Sequence, residues 1–123
     1  MFGNTLKVCN SNLSLILRPP YKTDIPYMAK GMADWEVKKY LGGIGAPTEE
    51  SEEEWIRETE KGRDSVVWLI QPENLDHAIG CTSLHDIRDR SNGSFSGFVV
   101  WEKEWWRRGI ASLSHIARSW YAT

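Results

Sequence analysis

The sequence predicts a mixed α+β fold: a mostly antiparallel sheet with helices packed against it. Three observations lead there. Val66-Val67-Trp68-Leu69-Ile70, Ala78 to Ile87 and Phe95 to Trp101 are strand-like runs following one another with only turns between them. Helical spacing of apolar residues dominates the stretches before and after that series. Its 123 residues suit one domain with a real but modest core.

Taken in order, Leu13-Ser14-Leu15-Ile16-Leu17 is the first expected strand, stopped by Pro19-Pro20. Thr23 or Asp24 can cap a short helix over Ile25 to Met32, with Pro26 tolerated in its first turn. Asp34 caps a second helical piece carrying Val37, Tyr40 and Leu41, which Gly42-Gly43 ends. Thr48 or Ser51 opens the next helix, and Ser51-Glu52-Glu53-Glu54 fits a capping box. Its acidic first turns suit the positive end of the helix dipole. Residues 66–70 form a continuous apolar run, expected of a strand buried on both faces. Pro72-Glu73-Asn74 and Ser91-Asn92-Gly93 are turns around the next strand, and Gly80 within it marks a close backbone approach or a bulge. The last helix opens at Gly109 and shows Ile110, Leu113, Ile116 or Ala117, Trp120 and Tyr121 on one face. The predicted order is β-α-α-β-β-β-α.

A net charge of −2 gives no general attraction to nucleic acid or acidic membranes, so neither partner is expected. No apolar run has transmembrane length, and Arg18-Pro19-Pro20 is no signal cleavage site. Cys9 and Cys81 are read as two reduced thiols of a cytoplasmic protein, and no metal site is expected. The seven tryptophans are read as core and staple residues.

The densest chemistry is at Trp106-Arg107-Arg108-Gly109-Ile110-Ala111-Ser112. A strand runs into a basic, glycine-containing turn and then a helix start, whose N–H groups lack intrahelical acceptors. Arginines beside such groups make a site suited to phosphate or pyrophosphate.

With Leu17-Arg18-Pro19, Asp34-Trp35, Ala78-Ile79-Gly80 and Ser96-Gly97-Phe98-Val99-Val100 upstream, this loop resembles that of the GNAT superfamily of acyl-CoA-dependent N-acyltransferases, closest to the ribosomal-protein N-acetyltransferases of the RimJ/RimL kind. Gly109 and Ala111 match the small positions of the family's loop. Trp106 stands where the general pattern has arginine or glutamine, as in the RimJ/RimL-like variant. The resemblance implies acetyl-CoA as co-substrate, with its pyrophosphate on the N–H groups of about Arg107 to Ser112. Arg107 or Arg108 would add charge, and backbone groups of Val99, Val100 and Trp101 would bond the pantetheine arm where the family splays its sheet. The implied reaction is acetyl transfer to a primary amine, of a protein N-terminus or a small molecule. His85 and Asp86, or Glu102, are candidate bases. The acidic segment Glu49 to Glu54 would suit a basic substrate.

The family domain continues past this helix with strands that supply the usual general acid. The stop at Thr123 is therefore expected to be a C-terminal truncation of a single, partial domain spanning residues 1–123. Completion by a second copy or a complementing chain would repair it. A catalytically incomplete binding or assembly module is the alternative.

Overall fold

The computed structural model describes residues 1–38, 46–63, 65–85 and 95–122. Its strands are β1 (Leu6–Cys9), β2 (Ser14–Arg18), β3 (Ser65–Pro72), β4 (Gly80–His85) and β5 (Phe95–Val100). Its α-helices are α1 (Ile25–Met32), α2 (Trp35–Lys38), α3 (Glu49–Lys61) and α4 (Ile110–Ala122). Single 3-10 turns cover Lys22–Asp24 and Lys103–Trp105. The five strands form one sheet in the order β1-β2-β3-β4-β5, every neighbour antiparallel. The mixed α+β expectation therefore holds.

β1 is a strand the sequence reading passed over. Lys7 and Cys9 interrupt its apolar pattern, and only Val8 of the four is buried. An edge strand with one buried side chain leaves almost no periodic signal. Met1–Gly3 also lies along β3: the Val67 N–H donates to the Met1 carbonyl at 2.9 Å and the Gly3 N–H to the Val67 carbonyl at 3.0 Å.

β3 is buried on both faces, as its apolar run implies. Val66, Trp68 and Ile70 join Leu15, Leu17 and residues of α4 in one core layer. Leu69 joins Met28, Val37, Ala78 and Trp101 in a second layer on the opposite face. On α4, Ala117 is buried while Ile116 is 44% exposed, which settles the inward position. The side chains of Trp120 and Tyr121 lie outside the described residues, as do Tyr40, Leu41, Gly42-Gly43, the 91–93 turn and the Ile87 end of the expected strand.

Several local expectations are corrected. Thr48, rather than Ser51, caps α3: its hydroxyl accepts the Ser51 N–H at 3.1 Å, and Ser51 Oγ accepts the Thr48 N–H at 2.8 Å. The box is Thr48-to-Ser51 because Ser51 is already the third helical residue. Asp24 precedes α1 but makes no capping bond. Its carboxylate instead takes a bidentate pair from Arg18, at 2.8 and 2.9 Å, and the N–H groups of Tyr21 and Ala78. Of the tryptophans, Trp68 and Trp101 are core, whereas Trp35, Trp55 and Trp106 are exposed by 36% or more.

Candidate functional site

The register fixes how β5 presents its backbone. Val99 pairs with Cys81 and Val100 with Gly80. The Trp101 N–H donates to the Ile79 carbonyl at 2.8 Å, so residues 101 and 99 turn their backbone groups toward β4. By alternation Phe98 and Val100 turn theirs to the other, open side. Gly80 permits this spacing: a Cβ there would lie 2.3 Å from the Val99 carbonyl oxygen. The close approach its sequence position suggested is real.

Along that open side runs a cleft of about 320 Å³. Phe98, Val99 and Val100 form its strand wall, Glu36 and Val37 its α2 wall, and Trp105, Trp106, Arg107, Gly109, Ile110 and Ala111 its closed end. Each wall is held. The Asp34 carboxylate accepts the Glu36 N–H at 2.9 Å, starting α2, and meets Lys103 Nζ at 2.9 Å. Lys103 thereby fastens α2 to the loop after β5. That hydrogen bond draws the Asp34 carboxyl below, and the Lys103 ammonium above, their ordinary pKa values. Trp106 folds back onto the strand, its indole Nε1 donating to the Val100 carbonyl at 2.8 Å.

The loop itself has unusual backbone. Arg107 has φ 65°, and among the described residues it is the one non-glycine with positive φ. Gly109 follows with φ 83°, and a Cβ there would meet nothing within 4 Å. Alternating the sign of φ turns successive N–H groups toward one concavity, a geometry that favours anions. The α4 ladder begins when the Leu113 N–H bonds the Gly109 carbonyl at 3.1 Å. The N–H groups of residues 109–112 therefore have no intrahelical acceptor. α4 has no acidic residue in its first turn to occupy its positive end.

Seven of the ten residues expected to bind the cofactor line this cleft: Val99, Val100, Trp106, Arg107, Gly109, Ile110 and Ala111. Trp101 lies apart, its N–H committed to Ile79 and its side chain buried in the second core layer. Arg108 turns the other way, its guanidinium 4.9 Å from the Trp105 ring centroid, into a hollow with Asn12, Ser14, Glu73 and Asn74. Ser112 is exposed in the first turn of α4 and does not line the cleft. Glu36, Val37, Phe98 and Trp105 also line the cleft and were not among those ten. Strand alternation from Val100 could have found Phe98, but nothing in the sequence brings Glu36 to β5.

Of the candidate bases, Glu102 does not line the cleft. Glu102 Oε1 meets His77 Nε2 at 2.7 Å, and His77 Nδ1 meets Asp76 at 3.0 Å, with the ring stacked on Tyr27 at 3.8 Å. Burial lowers the His77 pKa, but the two carboxylates raise it more, so the net shift is upward. His85 ends β4 opposite Phe95, five register positions from Gly80. At strand rise that is about 17 Å along β4 from the level of Val100. Its side chain, and Asp86 entirely, lie outside the described residues. Among the described residues no group of His, Cys, Asp and Glu is placed to hold a metal ion, and no helix is long and apolar enough to cross a membrane.

An antiparallel sheet with an open-edged strand running into an anion-suited helix start defines a class that can hold an extended, phosphate-bearing ligand. The particular family follows from comparison. The family model of the acetyltransferase (GNAT) domain matches residues 14–122, and the chain belongs to that family. A GNAT-family acetyltransferase from Bacillus anthracis is similar at a TM-score of 0.69 and 17% identity, over 94% of this chain and 65% of that one. A Vibrio cholerae protein assigned as a ribosomal-protein-serine acetyltransferase is similar at 0.72 and 10% identity, over 99% and 68%. A domain from Methanocaldococcus jannaschii DSM 2661 gives 0.61 and 17%, over 85% and 68%. The chain thus spans about two thirds of the length of the solved structures it matches. No curated protein matches it by sequence.

Proposed function

We propose that the chain binds acetyl-CoA and transfers its acetyl group to a primary amine. One observation carries this reading: the cleft on the open side of β5 ends at the Arg107–Gly109 backbone and the start of α4. The residues fit the co-substrate. N–H groups of residues 109–112 and the Arg107 guanidinium suit its pyrophosphate. The outward backbone groups of Phe98 and the outward N–H of Val100 suit an amide-bearing arm lying alongside as an added strand would. In the reaction the amine nitrogen bonds the acetyl carbon and the carbon–sulfur bond breaks. The thiolate takes up a proton to leave as coenzyme A, and the amine gives one up. An outward N–H on β5 suits the developing oxyanion.

Membership of the RimJ/RimL-like branch is supported by Trp106 and by the shared fold of the Vibrio cholerae protein. A cytoplasmic site of action and action as one domain, alone or with a second chain, belong to the same proposal. The alternative, a binding or assembly module without turnover, is favoured by the engagement of Glu102 with His77 outside the cleft. Release of coenzyme A thiol in the presence of acetyl-CoA and a panel of primary amines separates the two. Amine-dependent release supports transfer. Acetyl-CoA binding without release under any amine supports the alternative.

A further inference from the structure

A second cavity, of about 360 Å³, lies under α1 and α3 on the face of the sheet opposite α4. Met28 and Met32 of α1, Trp55 of α3, and Cys81, Val99 and Trp101 from the sheet side give it apolar walls. An apolar cavity of about 150 Å³ already holds a benzene-sized molecule, so this one has room for a short chain or a ring. The two polar residues that α3 contributes are engaged. Ser51 Oγ donates to the Thr48 carbonyl at 3.0 Å and accepts the Thr48 N–H at 2.8 Å, as part of the α3 cap. Glu52 is buried and already partnered. Cys81 serves as an apolar wall rather than a nucleophile. Burial, and then the Glu52 charge, push its thiol up to about 12, so it stays neutral. An interior of this kind favours an apolar chain over a charged group.

The cavity adjoins the β5 cleft. Val99 lines both hollows. Val37, from the α2 wall of the cleft, packs in one apolar cluster with Met28, Met32, Val99 and Trp101. Successive β5 residues face opposite ways. Val100 belongs to the layer under α4, with Ile110 and Leu113, and Val99 to the layer under α1. A ligand arm that lies along the outer side of β5 and bends at Val99 therefore passes from the cleft into an apolar hollow.

We infer that this cavity is an acyl pocket, and that the co-substrate it fits is an acyl-CoA whose apolar chain is longer than acetyl. The inference rests on the coenzyme A cleft proposed above and names the class of donor. The selection follows from burial. Each methylene that leaves water for walls such as Met28, Met32 and Trp55 strengthens binding about threefold. The two methionines can adapt their shape to a chain or a ring. The bonds changed are the same as for acetyl. The amine nitrogen bonds the acyl carbon, the carbon–sulfur bond breaks, and the thiolate takes up a proton as the amine gives one up.

Calorimetric titration of the full chain with acetyl-, butanoyl- and hexanoyl-CoA, without an amine, tests this. Affinity is expected to rise along the series, hexanoyl-CoA binding at least tenfold more tightly than acetyl-CoA. Met32→Trp, filling the cavity from a half-buried position, is expected to remove that preference. Equal or falling affinity along the series, or an unaltered preference in Met32→Trp, would overturn the inference. Should Met32→Trp not fold, Trp55→Ala, taking away a wall that is 36% exposed, decides: a reduced preference supports the pocket and an unaltered one overturns it. The same titrations separate the failures. Uptake of acetyl-CoA with no preference for chain length would overturn the pocket and leave the acetyl-transfer reading standing. A folded chain that takes up none of the three would overturn both.

Discussion

The indole Nε1 of Trp106 donates to the carbonyl of Val100 at 2.8 Å, tying the loop before α4 to the open side of β5. Six residues separate the two along the chain, and the turn between them closes one end of the cleft. Trp106 thus organises the site by holding its end wall against its strand wall.

Trp106→Phe keeps the ring and removes the donor. A neutral hydrogen bond of this kind contributes about 1 kcal/mol. The substitution is expected to cost no more than that in urea unfolding. It should weaken acetyl-CoA about fivefold, because the loop is no longer held in place. Unchanged affinity would mean that the bond has no part in shaping the site.

Gly80 gives a sharper test of the strand wall. A Cβ at this position would meet the Val99 carbonyl oxygen at 2.3 Å and the Val100 Cα at 2.9 Å, both backbone atoms. Gly80→Val must therefore displace β5 itself. We expect a loss of about 2–3 kcal/mol in chemical unfolding and a loss of acetyl-CoA binding in the protein that still folds. A variant as stable and as active as wild type would show that the β4–β5 spacing is not constrained here.

Asp24 and Arg18 form a buried bidentate pair that also fixes the Tyr21 turn and the Ala78 N–H. Asp24→Ala leaves the Arg18 guanidinium buried without its carboxylate, and about 3–5 kcal/mol of stability should go with it. Burial raises the Asp24 pKa, but the hydrogen bonds from Arg18, Tyr21 and Ala78 lower it more, so the folded value lies below the ordinary one. The resulting stability is complete above the unfolded pKa, near 4, and is lost as pH falls through the folded value. Acid unfolding followed by circular dichroism should show this loss in the wild type, and a flatter profile in Asp24→Ala.

His77 behaves in the opposite sense. Its folded pKa is raised above the ordinary 6.5 by Asp76 and Glu102, against the lowering effect of burial. Its contribution is complete below pH 6.5 and fades as pH rises through the folded value. His77→Asn should flatten the fall in thermal stability on the alkaline side of pH 6.5. An NMR titration placing the His77 pKa at or below 6.5 would contradict the pairing with Glu102.

Much of the fold and part of the site can be read from residue order. The apolar run at 66–70, the glycine at 80 and the α4 spacing from Ile110 to Ala117 each express one local rule, and each came out where that rule put it. β1 did not, because Val8 alone among its residues is buried. Asp24 did not, because its choice between capping α1 and pairing with Arg18 depends on where Ala78 lies, 54 residues away. The same limit applies to the site. The 106–111 loop is contiguous in sequence and therefore legible. Glu36 reaches the cleft through Lys103, and Glu102 is drawn away from it by His77, across 25 residues.

The most direct test of the account is calorimetric titration of acetyl-CoA into the wild-type chain and Gly109→Val. The Cβ at residue 109 meets nothing in the protein, so the substitution costs only the strain of positive φ, about 1–2 kcal/mol, while projecting into the proposed pyrophosphate site. The account predicts saturable binding of one acetyl-CoA by the wild type and a loss of at least tenfold in a folded Gly109→Val. A folded wild type that takes up no acetyl-CoA, or a variant that binds it equally well, would contradict it.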